Sequence, residues 1–442
     1  MQTASKKVIR GWAMYDWANS VYNLVITTTF FPIYFIAVTK QQFHSDKVPF
    51  LGGRFVNSSL YDYSLAVAYL FIALLYPVLT SIADTRGNKK SFMKFFCYMG
   101  AIGCALLFFF NGANLWLGIL CFMMASMGFV GSLVFYNAFL PEIAAPEDRD
   151  RVSAKGFSYG YIGSVLLQLI GFALVILLPG DPFLAPRITF LLVGIWWASF
   201  AQITFSVLPE TRSAGKISAA IIGESFNEMK KVYREIRKLP ILKNYLRGFF
   251  FYSMGVQTVM LAATLFGSKL LQLPSTKLII TIVLIQLVAI PGAVWMSRLS
   301  GKFGNLRVLS GIIIFWIFIC VAAYYTAYFK EQGGDPEIGF YVLAIAVGLV
   351  MGGIQSLSRS TYSKLMPETR DTASYFSYYD FTEKLAIVIG MFVFGLIEEA
   401  TGSMKNSVLS LIVFFVIGLV WLMRAQKIKS STVNRQPSTA NQ

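Results

Sequence analysis

Stretches of about 20 mainly apolar residues, each long enough to cross a bilayer as a helix rising about 1.5 Å per residue, recur along the whole chain. In the first half they lie near Trp12 to Val38, Leu60 to Ala83, Phe92 to Asn111, Leu115 to Leu140, Ser153 to Leu178 and Ile188 to Leu208. After a polar stretch from Pro209 to about Lys243, six more follow near Asn244 to Lys269, Leu278 to Ser297, Val308 to Phe329, Gly339 to Leu365, Ala373 to Glu398 and Ser407 to Met423. Only 14% of the 442 residues are charged, against about 25% in a soluble chain, and 56% are hydrophobic. Lipid is therefore the solvent. The 16% aromatic content suits lipid-facing surfaces and the belts where helices leave the bilayer. The expectation is an all-α membrane protein of 12 transmembrane helices.

A net charge of +16 in a soluble protein would point to nucleic acid. Here Lys and Arg are nearly absent from the apolar runs and crowd the short connections, which excludes nucleic-acid binding. With both termini and every second loop placed in the cytoplasm, roughly three quarters of the 38 basic residues fall on that side. The first run is too long for a signal peptide and lacks a small-residue cleavage pattern, so it is read as a span. Cys97, Cys104, Cys121 and Cys320 all lie inside apolar runs and imply no disulfide framework. His44 has no His or Cys nearby at ligand spacing. No metal or cofactor is expected.

The two halves echo each other at an offset of roughly 220 residues, the mark of a parallel repeat about an axis along the membrane normal. Gly87-Asn88-Lys89 answers Gly304-Asn305 with Arg307, and Pro141-Glu142 answers Pro367-Glu368. Arg149-Asp150 with Phe157-Ser158-Tyr159 answers Arg370-Asp371 with Phe376-Ser377-Tyr378. These matches predict two pseudo-symmetric six-helix bundles, residues 1–208 and 244–429, with substrate handled where they meet. The intervening 209–243 linker has an amphipathic pattern, Ile217, Ile221, Ile222, Phe226, Met229, Val232, Tyr233 and Ile236, set among Lys230, Lys231, Arg234, Arg237 and Lys238. A helix in the headgroup region and a solvated linker helix both fit it. The polar tail, residues 430–442, reads as disordered.

Charged and polar residues inside the spans are the functional candidates. In the first span Tyr15 and Asp16 are followed by Asn19 and Asn23, and the i, i+3, i+7 spacing puts Asp16, Asn19 and Asn23 on one helical face. A carboxylate there costs several kcal/mol unless paired, protonated or facing water. A structural ion pair at the inner rim is the alternative, since Arg10 lies about 9 Å away along the helix. In the eleventh span Asp380 precedes Lys384 by four, the favourable order for an acid and a base, while Glu383 sits on another face and needs its own partner. Arg359 is a candidate for that partner and shares a face with Gln355. Gln257 in the seventh span is a further candidate for the pathway. The glycine clusters at Gly128 and Gly131, and at Gly348, Gly352 and Gly353, read as sites of close helix packing.

After the second span stands Thr80-Ser81-Ile82-Ala83-Asp84-Thr85-Arg86-Gly87-Asn88-Lys89-Lys90, which resembles the loop motif of the major facilitator superfamily. An acidic group here can sit at a neighbouring helix N-terminus, where the dipole favours negative charge, and Gly87 permits a tight turn. The resemblance implies that Asp84, with Arg86 and Gly87, forms a cytoplasmic gate. Three further segments resemble the vacuole-effluxer-like branch of that superfamily: Tyr15 to Asn23, Phe135 to Ala144 with Arg151-Val152-Ser153-Ala154, and Gly352 to Ser360 leading to Lys384. That branch includes fungal vacuolar amino-acid effluxers and many bacterial homologues. Lys384 falls where the branch carries a lysine, and this chain adds Asp380 and Glu383 beside it.

The resulting expectation is alternating-access transport of a small organic solute such as an amino acid, coupled to protonation of Asp16 or of the Asp380 and Glu383 pair. A desolvated carboxyl favours its neutral form and so can carry a proton. The protein is expected to be a monomer in a bacterial inner (plasma) membrane rather than a vacuole. An enzyme is disfavoured, because the chain shows no H-E-x-x-H metal helix, Walker loop or nucleophile elbow. A lipid-handling or scaffold protein of transporter fold is the alternative.

Overall fold

The computed structural model describes residues 2–210 and 221–433. Helices follow the apolar runs. In chain order they are α1 (Lys6–Val21), α2 (Phe31–Phe43), α3 (Asn57–Arg86), α4 (Lys89–Leu106), α5 (Leu115–Ala138), the single turn α6 (Leu140–Ile143), α7 (Arg149–Leu177) and α8 (Leu184–Val207). Then come α9 (Ile221–Lys238), α10 (Pro240–Leu265), α11 (Ser275–Phe303), α12 (Asn305–Glu331), α13 (Glu337–Leu365), α14 (Thr372–Thr401) and α15 (Met404–Val433). Among the described residues, 10 helices are long and apolar enough to cross a membrane, α1 and α2 counting as one rod over Lys6–Phe43. The two remaining expected spans are present as α10, 26 residues, and α14, 30 residues. The sequence of α14 includes Asp380, Glu383, Lys384, Glu398 and Glu399, which lower its hydropathy. Bulky apolar side chains such as Phe71, Phe95, Ile176 and Phe318 stand exposed, as lipid contact requires and water would penalise.

A hairpin and a widened first span bear on the shape of the first unit. Between α2 and α3 the chain makes a short antiparallel hairpin, β1 (Lys47–Phe50) with β2 (Gly53–Val56), turned through Leu51 and Gly52 at positive φ. Between α1 and α2 the first span widens into a π-helical segment, Tyr22–Phe30. Its displaced carbonyls find other donors: the Thr28 hydroxyl reaches the carbonyls of Asn23 and Leu24, that of Thr29 reaches Leu24, and the Tyr61 phenol reaches Thr27 at 2.6 Å. Such segments are rare and gather at functional sites.

The chain forms two compact units. The first comprises residues 1–145, 159–228 and 370–377, and the second residues 146–158, 229–369 and 378–442. In the first, α4 packs on α5 and α8, and α1 packs along α8. Small residues set these distances: a Cβ on Gly128 would lie 2.4 Å from the Cα of Gly100. In the second, α11 packs on α13, α10 on α15, and α12 on both α13 and α15. A Cβ on Gly352 would lie 2.1 Å from the carbonyl oxygen of Ala289, so α11 and α13 touch backbone to backbone. In the linker, Ile217 lies outside the described residues, as do the side chains of Ile221, Ile222, Phe226 and Met229. On the described part of α9, Val232 and Ile236 are buried while Lys230, Lys231, Arg234, Arg237 and Lys238 are exposed. The tail beyond residue 433 lies outside the described residues.

Candidate functional site

Each unit carries its own buried polar group. In the first unit Asp16 is 4% exposed, and its carboxylate accepts the Tyr136 hydroxyl at 2.7 Å. Tyr136 is positioned in turn by Trp12, whose indole stacks on its ring at 4.4 Å and donates to its carbonyl at 3.1 Å. Tyr15 is fully buried, 5.2 Å from the Tyr136 ring. Asn19 is 1% exposed; its carbonyl accepts the Ser20 hydroxyl at 3.4 Å, and its Nδ2 has no hydrogen-bond partner among the described residues. Asp16 and Asn19 are buried on α1, while Asn23 is the second residue of the π-helical segment and is half-buried.

In the second unit Glu383 is held between Gln257, whose amide donates to it at 3.1 Å, and Lys384, whose ammonium lies 3.1 Å from it. The partner that spacing left open for Glu383 is thus its own neighbour together with a glutamine from α10. Asp380 is buried on the same helix. Arg359 is 3% exposed, and its guanidinium donates to the hydroxyl and carbonyl of Ser153, each at 2.9 Å, while lying 4.2 Å from the Phe157 ring. Gln355, half-buried, donates to the sulfur of Met260 at 3.4 Å. Beside them the Tyr252 and Ser358 hydroxyls are 2.7 Å apart, and Tyr245 donates to the Ser358 carbonyl at 2.7 Å. An apolar pocket in the same unit, lined by Val259, Phe266, Leu278 and Phe340 among others, includes none of the expected polar residues.

Asp84 closes the C-terminal turn of α3 onto the first residues of α14. Its carboxylate accepts the backbone N–H of Ala373 at 3.2 Å, the N–H of Ser374 at 2.8 Å and the Ser374 hydroxyl at 2.8 Å. A carboxylate at a helix N-terminus satisfies orphan donors and faces the positive end of the dipole. Gly87 follows at φ +63°, the left-handed conformation that ends α3. The side chain of Arg86 lies outside the described residues. Among the described residues, Lys89 is the cation that meets Asp84, at 3.1 Å, and it also binds Glu142 at 2.6 Å, Thr372 at 2.7 Å and the Arg370 carbonyl at 3.1 Å.

The second unit repeats this arrangement with the charges transposed. At the start of α7, Asp150 accepts from Ser300 at the end of α11, from Asn305 at the start of α12 and from Lys364 at the end of α13, at 2.7, 2.6 and 2.6 Å. Arg149 donates to the Ser363 carbonyl at 2.6 Å. In the first unit the acid is on the helix end and reads a helix N-terminus; in the second the N-terminus itself supplies the acid. Gly304, at φ +85°, stands where Gly87 does. The repeat signal marked Glu142, Arg149 and Asp150 as matched positions without a role; Tyr136 and Ser153 lay within the segments that carry the family resemblance without a role of their own, and Lys364 carried no signal.

Two matched bundles of long apolar helices with buried acids and helix-end ion networks define a transporter of the major facilitator fold. Solved structures agree in fold. The human organic anion transporter MFSD10 (TETRAN) superposes with a TM-score of 0.71 at 12% identity, covering 94% of this chain and 99% of that one. The proton:xylose symporter XylE gives 0.69 at 13% identity, covering 95% of each chain. The model of the vacuole effluxer Atg22-like family matches residues 4–432, and the chain belongs to that family. It is 32% identical over 432 residues to the uncharacterized MFS-type transporter YxiO of Bacillus subtilis (strain 168), covering 96% of each chain. It is 25% identical to autophagy-related protein 22 of Kluyveromyces lactis, covering 94% of this chain and 92% of that one. The Bacillus relative is named as a transporter.

Proposed function

We propose that the protein is a proton-coupled secondary transporter that moves a small organic solute, an amino acid or a solute of similar polarity, by alternating access. The observation that carries the reading is Asp16, buried within an apolar span with the Tyr136 hydroxyl 2.7 Å from its carboxylate. An ionisable group costs several kcal/mol at that depth and persists where transport uses it. Glu383 with Gln257 and Lys384, and the buried Arg359 and Asp380, supply groups of both signs, as a zwitterionic solute needs. The names of the similar proteins, a vacuole effluxer family and a proton:xylose symporter, support efflux and proton coupling as the mode. Asp84, Lys89 and Glu142 serve as one cytoplasmic gate and Asp150 with Lys364 as another. The Bacillus relative supports a bacterial plasma membrane as the location; the charge bias of the loops supports cytoplasmic termini, and the protein is taken to act as a monomer.

Reconstituted protein in proteoliposomes with an imposed pH gradient, screened against amino acids, sugars, peptides and organic acids, tests this. Asp16→Asn is expected to abolish accumulation driven by the gradient while leaving counterflow exchange measurable. Full gradient-driven transport in that variant would remove Asp16 as the coupling site. The apolar cavity lends weight to a lipid-handling role as second reading. Thermal stabilisation by lipids and by no soluble metabolite would favour it.

A further inference from the structure

We propose that Arg247, Arg424 and Trp421 form a binding site for the phosphate of an anionic phospholipid at one end of the second unit. The guanidinium of Arg247, near the start of α10, lies 4.6 Å from the Trp421 ring, and that of Arg424, near the end of α15, lies 4.7 Å from the same ring. Two like charges are thereby gathered on one indole, closer together than a Debye length of about 10 Å at 0.1 M salt. The ring attracts each cation, but it removes neither charge.

The described residues give them no acid partner. Neither α10 nor α15 contains an aspartate or glutamate. Among the described residues no carboxylate pairs with Arg247 or Arg424, and neither guanidinium donates a hydrogen bond. Lys243, four residues before Arg247, and Lys427, three after Arg424, extend the positive charge along the same helix faces.

The arrangement is held in place from both sides. Gly248 and Gly418 bring α10 and α15 together, since a Cβ on either would lie within 3.2 Å of the other's carbonyl oxygen. Gln426 ties the end of α15 to α12 through the Leu306 carbonyl at 2.9 Å and the Ser310 hydroxyl at 2.7 Å. Two guanidinium forks carried on helices fixed in this way and resting on one indole offer several N–H donors to a phosphate, which a lone interfacial arginine does not.

A lipid, rather than a free anion, follows from what adjoins the charges. Val413, Val416, Val420 and Met423 stand exposed on α15 at i, i+3, i+7 and i+10, an apolar stripe that ends at Arg424. An acyl chain can lie along that stripe while its headgroup meets the arginines. The basic end of a span faces the cytoplasm by the positive-inside rule, and that is the leaflet where anionic lipids concentrate.

The test uses the full-length protein, delipidated in detergent, with thermal unfolding and native mass spectrometry as readouts. Phosphatidylglycerol is expected to stabilise it saturably and to be retained over phosphatidylcholine from an equal mixture. Arg247→Gln with Arg424→Gln is expected to weaken the apparent affinity at least about tenfold, whereas Lys302→Gln with Arg307→Gln, which removes the same charge elsewhere, leaves it within about twofold. Equal losses in the two double variants would overturn the site in favour of diffuse attraction. Stabilisation by inorganic phosphate at the concentrations where phosphatidylglycerol acts would overturn the lipid assignment. Should the arginine pair prove necessary for folding, Trp421→Leu keeps both charges and removes their platform. It is expected to lose the preference for phosphatidylglycerol in native mass spectra, and retaining it would count against the site.

Discussion

The ammonium of Lys364 lies 2.6 Å from the carboxylate of Asp150, tying the end of α13 to the start of α7 within the second unit. The two partners are unequally buried, with side chains 22% and 5% exposed. Lys364→Met therefore leaves a buried carboxylate short of a charged donor and is expected to cost about 1.5–3 kcal/mol, since Ser300 and Asn305 still hold it. Asp150→Asn leaves a lysine that can still reach water and is expected to cost less. Thermal unfolding in detergent compares the two, and an equal loss would contradict the asymmetry.

Asp84 caps α14 with three hydrogen bonds, two of them from backbone N–H groups. Asn at this position keeps one acceptor and turns a donor toward donors. Asp84→Asn is expected to speed amide exchange over residues 372–377 by about tenfold or more, tenfold being about 1.4 kcal/mol. Ser374→Ala removes one of the three bonds and is expected to shift exchange less. Hydrogen-exchange mass spectrometry reads both, and unchanged exchange in Asp84→Asn would show that the cap is not what holds the helix start.

Tyr136 acts on Asp16 through its hydroxyl and on Trp12 through its ring. Tyr136→Phe keeps the stack and is expected to cost about 1.5–3 kcal/mol for the lost bond to a charged acceptor. It should reduce gradient-driven transport along with stability. Tyr136→Ala loses the ring as well and is expected to cost about 3–5 kcal/mol or more, as large aromatic truncations in cores do. If the phenylalanine variant transported at the wild-type rate, the Tyr136 hydroxyl would have no part in setting Asp16.

The spans were legible because hydropathy over about 20 residues is a coarse quantity that no local detail disturbs. Asp84 stood out for a different reason: the resemblance of its segment to a known loop motif singled it out, and the dipole of a neighbouring helix N-terminus gives an acid there a physical place. Asp150 was visible only as a matched letter in a repeat, since its partners Ser300, Asn305 and Lys364 come from three other helices. The spacing of Asp380 and Lys384 suggested a pair, and the contact between Lys384 and Glu383 depends on side-chain rotamers that spacing does not encode. The π-helical segment that begins at Tyr22 left no trace in residue type. Its stabilising donors, Thr28, Thr29 and Tyr61, suit an ordinary helix equally well.

Glycines that read alike in sequence differ sharply in what surrounds them, and this gives a controlled comparison. A Cβ on Gly128 meets Gly100 backbone at 2.4 Å and a Cβ on Gly352 meets the Ala289 carbonyl at 2.1 Å, so neither contact can yield by rotating a side chain. Alanine at either position forces two helices apart and is expected to lower stability by about 1–3 kcal/mol or more. Gly311 on α12 and Gly395 on α14 have nothing within 4 Å of the added methyl. Alanine there is expected to be neutral or to stabilise by about 0.5–1 kcal/mol through its better helix propensity. Thermal unfolding of the four single variants sorts them, and a marked loss in Gly311→Ala together with none in Gly128→Ala would refute the packing of α4 against α5.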